Sequence, residues 1–364
     1  VDMKIGILGS RGIPNQYGGF EELAEHLAEG LVAHGHQVTV YNSSRHPYKE
    51  KEFKGARIVR IPDPEGWLGT AGQFLYDMMA MWDTRKQKFD VLLQLGYTSS
   101  SVWWWLHPRK TKVVTNMDGL EWKRTKYNPL VQRFLRYAET LAVHHSHLLI
   151  ADNPAIEEYL NEKHKSQVVH IPYGANIPVS PDKEILKDFD LVENEYFLSI
   201  ARMEPENKWE TILKGYMESE SAFPFLVIGN MENQFGRKLK KQFDHPGIRF
   251  IGPIYDKSVL NSLRFHSRLY FHGHSVGGTN PSLLEAMACS AEICAHKNVF
   301  NEAVLGDRGL YFLDSTDVVN AIRTAEPGEQ SQRMIRQNLA AIRERYNWPL
   351  VVEQYELTME TTLR

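Results

Sequence analysis

The stretch LYFHGHSVGGTNPSLLEAMA, residues 269–288, carries three local signals in one line. Leu269–His272 is a short apolar run of the kind a strand buried on both faces requires. Gly273, Gly277 and Gly278 permit a tight turn with exposed backbone. Asn280 is a favoured helix N-cap and Pro281 suits the first helical position, so a helix is predicted from Pro281 onward. Strand, glycine turn and helix in that order form the repeating unit of a doubly wound α/β domain, which binds ligands at the carboxyl ends of its strands. The amides of Gly278, Thr279 and Asn280 in the turn, and of Ser282 and Leu283 in the first helical turn, offer a place for an anion. Glu285 lies one turn further in. A carboxylate there suits hydroxyl groups next to a bound phosphate; a solvated glutamate on a capped helix is the other reading.

The same unit recurs on both sides of this stretch. Short apolar runs at 4–9, 38–42, 57–61, 90–95, 112–115 and 147–151 alternate with helical patterns, and a second series follows at 196–201, 225–229, 248–251, 269–272, 292–295 and 310–313. Between the first two runs, Phe20, Leu23, Ala24, Leu27, Ala28 and Leu31 mark one buried face of a helix over 20–34, with Gly35 just past its end. Three prolines and a glycine in HIPYGANIPVSPD, residues 170–182, read as a linker. The predicted fold is therefore α/β with two doubly wound, Rossmann-like domains facing a central cleft: 1–175, 176–345, and a last helix within 346–364 that crosses back to the first domain.

Composition narrows the function. A chain of 364 residues is too long for one ordinary core. The net charge of −3 gives no global basic field for nucleic acid. The two cysteines, Cys289 and Cys294, suit a reducing compartment. The opening residues show no signal-peptide pattern, and no apolar run reaches the roughly 18 residues of a membrane span, which points to a cytoplasmic protein. GSRGIPNQYGGFEE, residues 9–22, lacks the G-x-G-x-x-G spacing, and no acid closes the following strand to hold a ribose, so a nicotinamide site is not expected. Gly18 and Gly19 there precede a helix, where bare amides can approach an anion or a sugar; a flexible turn is the plainer reading. P-loop spacing is absent. The histidines of HHSH (144–147) and HGH (272–274) promise no metal geometry.

A third element is SIARMEPENKWETILKGY, residues 199–216. Its strand delivers Arg202 to a carboxyl-end loop, and Lys208 follows near the next helix. Two cations at such a place would neutralise a diphosphate and stabilise it as a leaving group. Taken singly, Lys208 also reads as solvated charge.

Together GSRGIPNQYGGFEE, NMDGLEWKR (116–124), HIPYGANIP, ARMEPEN (201–207) and HSVGGTNPSLLEAM resemble, in order and over nearly the whole chain, the GT-B glycosyltransferases of the retaining family 4. The likeness is to its bacterial rhamnosyltransferase-type branch. The resemblance implies that Arg202 binds the donor diphosphate and Glu285 the donor ribose. It implies that Gly278, Thr279 and Asn280 meet phosphates and sugar, that Gly18 and Gly19 face the donor, and that Ile254 and Tyr255 flank the base. Ser282 at the helix start and His274 beside the turn join the donor set, with Lys208 and Asp118 next to the chemistry and no metal required. Asp118 and Glu121 follow a strand end and are candidates for acceptor contact; Glu21 or Glu22 is a further one. Three departures stand out. Gly277 replaces the first acid of the usual E-x7-E pair, Asn207 stands in the place of the diphosphate lysine, and Asp118 stands where many relatives have a histidine.

These departures fit a 6-deoxy sugar, and the expected reaction is retaining transfer of a hexose, L-rhamnose from dTDP-L-rhamnose, to a glycan or lipid-linked acceptor in cell-surface polysaccharide synthesis. A nucleotide-sugar 2-epimerase of the same fold and a non-catalytic nucleotide-sugar sensor fit the same residues. The aromatic and cationic stretches SVWWWLHPRK (101–110) and EWKRTKYNPLVQRFLRY (121–137) suit peripheral contact with an anionic inner-membrane surface, against the alternative of partly buried tryptophans and solvated cations.

Overall fold

The structure is a computed structural model that describes residues 2–16, 18–124 and 127–364. Tyr17 of the glycine-rich turn, and Thr125 and Lys126 of the second aromatic–cationic stretch, lie outside the described residues. The chain divides into two compact units, one of residues 1–123, 127–173 and 348–364, the other of 124–126 and 174–347.

In the first unit the order is β1 (Lys4–Leu8), α1 (Gly19–Ala33), β2 (Gln37–Ser43), β3 (Glu52–Phe53), β4 (Ala56–Ile61), α2 (Glu65–Leu68), α3 (Thr70–Thr84), β5 (Val91–Leu95), β6 (Lys112–Asn116), α4 (Pro129–His145), β7 (Leu148–Ala151), α5 (Pro154–His164) and β8 (Val168–His170). The sheet runs β3-β4-β2-β1-β5-β6-β7-β8 and is parallel except for the β3–β4 hairpin. Its central strands are buried on both faces, as in VLLQL of β5, which is why they read as unbroken apolar runs. α1 buries Leu23, Ala24, Leu27, Ala28 and Leu31, the face its periodicity marked. β8 ends at His170, the first residue of the segment read as a linker; three residues are too few for a period to show.

The second unit contains β9 (Phe197–Ile200), α6 (Trp209–Ser219), β10 (Phe225–Ile228), α7 (Gln234–Gln242), β11 (Ile248–Gly252), α8 (Lys257–Phe265), β12 (Leu269–His272), α9 (Pro281–Ala288), β13 (Ile293–His296), α10 (Val299–Leu305), β14 (Leu310–Phe312), α11 (Ser315–Thr324) and α12 (Glu329–Arg345). Its sheet, β11-β10-β9-β12-β13-β14, is wholly parallel. Phe197, Phe225, Phe271 and Phe312 form an aromatic row through its core against Trp209 and Tyr216 of α6. Truncating one such ring to alanine typically costs about 3–5 kcal/mol.

The last helix, α13 (Trp348–Leu363), belongs to the first unit. Trp348 stacks on His26 of α1 with ring centroids 4.1 Å apart. Gly30 of α1 leaves room for Val352, whose Cγ1 would lie 2.7 Å from a Cβ at position 30. Glu356 takes His34 Nδ1 at 2.6 Å and His36 Nε2 at 2.9 Å, and the Asn116 amide donates to Tyr355 Oη at 2.7 Å. Among the described residues no helix is long and apolar enough to cross a membrane.

Candidate functional site

In the second sheet β9 and β12 are neighbours, and the chain leaves them for opposite edges of the sheet. This is the topological switch point, where doubly wound sheets bind ligands beyond the carboxyl ends of the strands. Arg202 follows β9 and the turn 273–280 follows β12, so the fold places both sequence signals at that point.

The two loops are sewn together. Ser275 donates its amide and hydroxyl to the Glu206 carbonyl at 3.0 and 2.7 Å. Gly273 sits so close to the neighbouring loop that a Cβ would lie 1.9 Å from the Asn207 carbonyl oxygen, so no larger residue fits. The Asn207 side-chain amide and the Trp209 indole both donate to the Arg202 carbonyl, at 2.8 and 3.0 Å. Asn207 is buried, and its work is to fix the backbone that presents Arg202. The guanidinium of Arg202 is itself 60% exposed, with Glu204 at 3.9 Å, so it faces outward with little to hold it. Lys208 heads α6 in a left-handed conformation, φ +54°. Burial, with the Lys208 charge, pushes His296 down to about 4.

The α9 helix begins at Pro281 with Asn280 as its N-cap. The expectation that the amides of Ser282 and Leu283 stand free for an anion is corrected here. Ser282 N–H donates to Asn280 Oδ1 at 3.0 Å and Leu283 N–H to the Asn280 carbonyl at 3.0 Å. The Ser282 hydroxyl lies against Tyr270 Oη at 2.8 Å, toward the sheet. A cap satisfies the same donors an anion would use, so any anion here must meet the turn before the helix. In that turn Thr279 is buried while Gly278 is half-buried. Gly277 has φ +132°, with nothing within 4 Å of a would-be Cβ. The space for an acid exists, but the backbone conformation favours glycine.

Glu285 is not a solvated glutamate. Its Oε2 accepts from Arg264 Nη2 at 2.5 Å, and the Arg264 side chain is 2% exposed. Burial works against the Arg264 charge, but the Glu285 carboxylate, with Tyr270 and Cys289 adding to it, more than restores it, and the guanidinium pKa rises above its ordinary value. Nothing around Arg264 in the sequence pointed to this partner 21 residues away.

Histidines converge on the same strand ends. His272 and His274 stack with centroids 4.4 Å apart. Neither ring nitrogen of His272, nor Nδ1 of His274, has a hydrogen-bond partner among the described residues. Burial, reinforced by the charges of Arg202 and Arg124, pushes His274 down to about 3. Asn298 and Asn301 donate to the His274 carbonyl at 3.1 and 2.9 Å. Ile254 and Tyr255 follow β11; Tyr255 is 78% exposed, Ile254 half-buried. Among the described residues no three His, Cys, Asp or Glu side chains are grouped to hold a metal ion.

In the first unit Gly18 is the N-cap of α1 and Gly19 its first residue. The turn before them is tied down by side chains. Glu21 Oε1 accepts the Arg11 amide at 2.8 Å and Glu25 Oε2 the Asn15 amide at 2.6 Å. Asn42 takes both polar groups of Ile13, its Oδ1 accepting the amide at 3.1 Å and its Nδ2 donating to the carbonyl at 2.8 Å. Glu21 is buried in this task. Asp118, past β6, is half-buried at φ +52°, with its amide donating to Asn116 Oδ1 at 2.9 Å. Glu121 opens a short 3-10 turn in the same loop.

The next residue, Trp122, anchors that loop by donating to Glu139 at 3.1 Å. The buried Glu139 also receives Tyr159 at 3.0 Å, Lys163 at 2.7 Å and His164 Nε2 at 3.0 Å. Trp122 thus serves the interior, with Arg136 4.5 Å above its ring. Trp103 donates to the Phe74 carbonyl at 2.9 Å and Trp104 stacks on His145 at 3.8 Å, while Trp104 and Trp105 are both exposed.

Residues 3–176 match a family described as a domain of unknown function (DUF1972). No curated protein matches the chain. Solved structures match it end to end at low identity. Sucrose-phosphate synthase of Thermosynechococcus elongatus is 15% identical, with a TM-score of 0.83 over 99% of this chain and 98% of its own. A glycosyltransferase of Rickettsia africae is 14% identical, with a TM-score of 0.76 over 100% and 99%. Anabaena HepE, in complex with UDP and glucose, is 16% identical, with a TM-score of 0.77 over 99% and 100%. The two doubly wound α/β units of this chain are those of the GT-B fold.

Proposed function

We propose that this chain is a retaining glycosyltransferase that takes a hexose from a nucleotide-sugar donor, with L-rhamnose from dTDP-L-rhamnose as the reading that best fits its departures from the broader family. The observation that carries the proposal is the paired loops at the β9–β12 switch point. They present an exposed arginine, a glycine turn and a glutamate one helical turn in, within one structural unit. HepE, whose structure holds UDP and glucose, has the same fold.

In this reading the donor diphosphate lies against Arg202 and the turn at Gly278, Thr279 and Asn280, with Lys208 adding charge. Glu285 reaches the ribose with the oxygen that Arg264 does not hold. Ile254 and Tyr255 flank the base. Arg202 stabilises the leaving diphosphate as the glycosidic bond breaks, and that diphosphate helps take the proton of the acceptor hydroxyl on the same face, which retains configuration. No resident metal takes part. Gly277 leaves the sugar's outer edge without the usual carboxylate grip, which suits a deoxy sugar. The first unit, with Asp118 and Glu121, takes the acceptor, a glycan or lipid-linked oligosaccharide. The enzyme works in the cytoplasm, with the exposed Trp105 and its cationic neighbours resting on the inner membrane surface.

The test is a donor panel on the purified chain: dTDP-L-rhamnose, UDP-glucose, UDP-GlcNAc and GDP-mannose, followed by calorimetry and by product analysis with and without saccharide acceptors. Preferential binding and acceptor-dependent turnover of dTDP-L-rhamnose is the expected result. Turnover of UDP-glucose with none of dTDP-L-rhamnose would overturn the donor assignment. Donor conversion that needs no acceptor would make the chain an epimerase, and tight donor binding without any turnover a sensor.

A further inference from the structure

The first unit holds a small cavity of about 20 Å³ at the carboxyl ends of β1, β2 and β4. That volume takes one water or one hydroxyl group. Ser10, just past β1, lines it and is 3% exposed, yet its Oγ has no hydrogen-bond partner among the described residues. Buried hydroxyls are nearly always paired, so one left open toward a cavity marks a place where an outside group completes it.

The rest of the lining defines that group. Asp77 of α3 is 7% exposed, and its Oδ2 accepts from Ser99 Oγ at 2.5 Å. Burial lifts its pKa to about 7, against the pull of the Ser99 hydrogen bond and with the nearby charge of Asp63 adding to the rise. At neutral pH this carboxyl is therefore able both to donate and to accept. Asp63 accepts from Ser43 Oγ at 2.5 Å and from the Glu65 amide at 2.9 Å. Arg11 pairs with Glu65 at 2.9 Å, so its charge is already answered. Tyr76 donates inward to the Tyr41 carbonyl at 3.0 Å. With Asp63 and Glu65 set against Arg11, a carboxylate or phosphate entering here meets like charge. A neutral hydroxyl does not, and as both donor and acceptor it matches Ser10 and Asp77 together.

We propose that this cavity receives a single hydroxyl of a neutral saccharide, with Ser10 and Asp77 as its partners, and that it selects against anionic sugars. That the saccharide is the transferase's acceptor rests on the glycosyltransferase reading above; the binding site itself does not.

Saturation-transfer NMR on the full chain tests this with methyl α-L-rhamnoside, methyl β-D-glucoside and methyl β-D-glucuronide as probes, for wild type, Ser10→Ala and Asp77→Asn. dTDP binding by calorimetry runs in parallel. The neutral glycosides should bind wild type, and the glucuronide at least tenfold more weakly. Ser10→Ala should lose about tenfold in neutral-glycoside affinity while its melting temperature stays level or rises, because the hydroxyl removed had no partner in the fold. Neutral glycosides bound equally by wild type and Ser10→Ala, glucuronide bound as well as glucoside, or no saccharide bound at tens of millimolar would each overturn the proposal and leave the cavity to a water molecule. Failure of dTDP to bind would count against the donor reading alone.

Discussion

Arg264 Nη2 lies 2.5 Å from Glu285 Oε2, joining a fully buried guanidinium to the glutamate assigned to the donor ribose. One side chain thus serves both the fold and the site. Removing Glu285 leaves Arg264 buried and uncompensated, at a typical cost of about 3–5 kcal/mol. Glu285→Ala should therefore show a clear fall in urea midpoint, and lost activity in that variant alone says nothing about the ribose. The double variant Arg264→Met with Glu285→Gln removes the stranded charge and should recover most of the stability. Donor affinity that stays low while stability returns identifies Glu285 as a ligand contact; affinity that returns with stability makes it a structural partner only.

Arg202 presents the opposite case. Its side chain is 60% exposed, with the Glu204 carboxylate distant at 3.9 Å. Arg202→Ala should change stability by no more than about 0.5 kcal/mol, because exposed pairs of this length contribute little. Its charge-assisted bond to a diphosphate should contribute about 1.5–3 kcal/mol, so calorimetry with dTDP should read a loss of roughly 10- to 100-fold. Unchanged affinity would remove Arg202 from the site.

Three groups with shifted pKa values give the pH dependence of stability opposite signs. His274 sits near 3 in the folded chain against an ordinary 6.5, and His296 near 4. Above 6.5 their contribution is full. As pH falls below 6.5 the unfolded chain takes up protons that the native one refuses, and the contribution is lost down to the folded values. For His274 that amounts to roughly 4 kcal/mol by pH 3. Asp77 runs the other way, from 3.8 to about 7. Its contribution is full below 3.8 and is lost as pH rises through 7. Denaturation from pH 8 to pH 4 should thus show His274→Gln holding its stability better than wild type in acid. Asp77→Asn should outlast wild type at pH 8, with that advantage gone by pH 4. Parallel curves for all three proteins would refute both assignments.

Gly277 combines φ +132° with open space around a would-be side chain. Gly277→Ala should cost about 1 kcal/mol, all of it backbone strain, as read by melting temperature. Gly277→Glu should cost a similar amount and fail to raise affinity for UDP-glucose, because the backbone there does not aim a side chain as an ordinary helix-approach residue would. A gain in UDP-glucose affinity would show that only the missing acid, and not the turn, sets donor choice.

The alternation of buried strands and one-faced helices made both sheets legible, because a parallel strand covered on two sides must be apolar throughout. The Asn280–Pro281 helix start was equally legible, since capping chemistry is local. The pairing of Glu285 with Arg264 was not, nor the clamp of Asn207 and Trp209 on the Arg202 carbonyl, nor the tie from Asn42 to Ile13. The first and last join residues 21 and 29 apart that the fold reunites; the clamp is local, but no capping or turn pattern announces it. Ser282 shows the limit of local reasoning: its amide was counted as available because it stands at a helix start, yet the cap that predicted the start is what occupies it. Asp77 carried no motif, and Ser10 lay unremarked inside GSRGIPNQYGGFEE; a buried hydroxyl without a partner among the described residues singles out Ser10, and burial of a carboxyl singles out Asp77.

α13 covers α1, and 174–347 is threaded between them in sequence. At ribosomal rates of about 5–20 residues per second, that intervening stretch takes on the order of 10–30 s to synthesise. Throughout that interval the nascent first unit lacks the helix that seats Trp348 on His26 and Val352 on Gly30. The unit begun first on the ribosome is therefore the unit finished last, and a nick or premature stop after residue 347 would injure it while sparing the second unit.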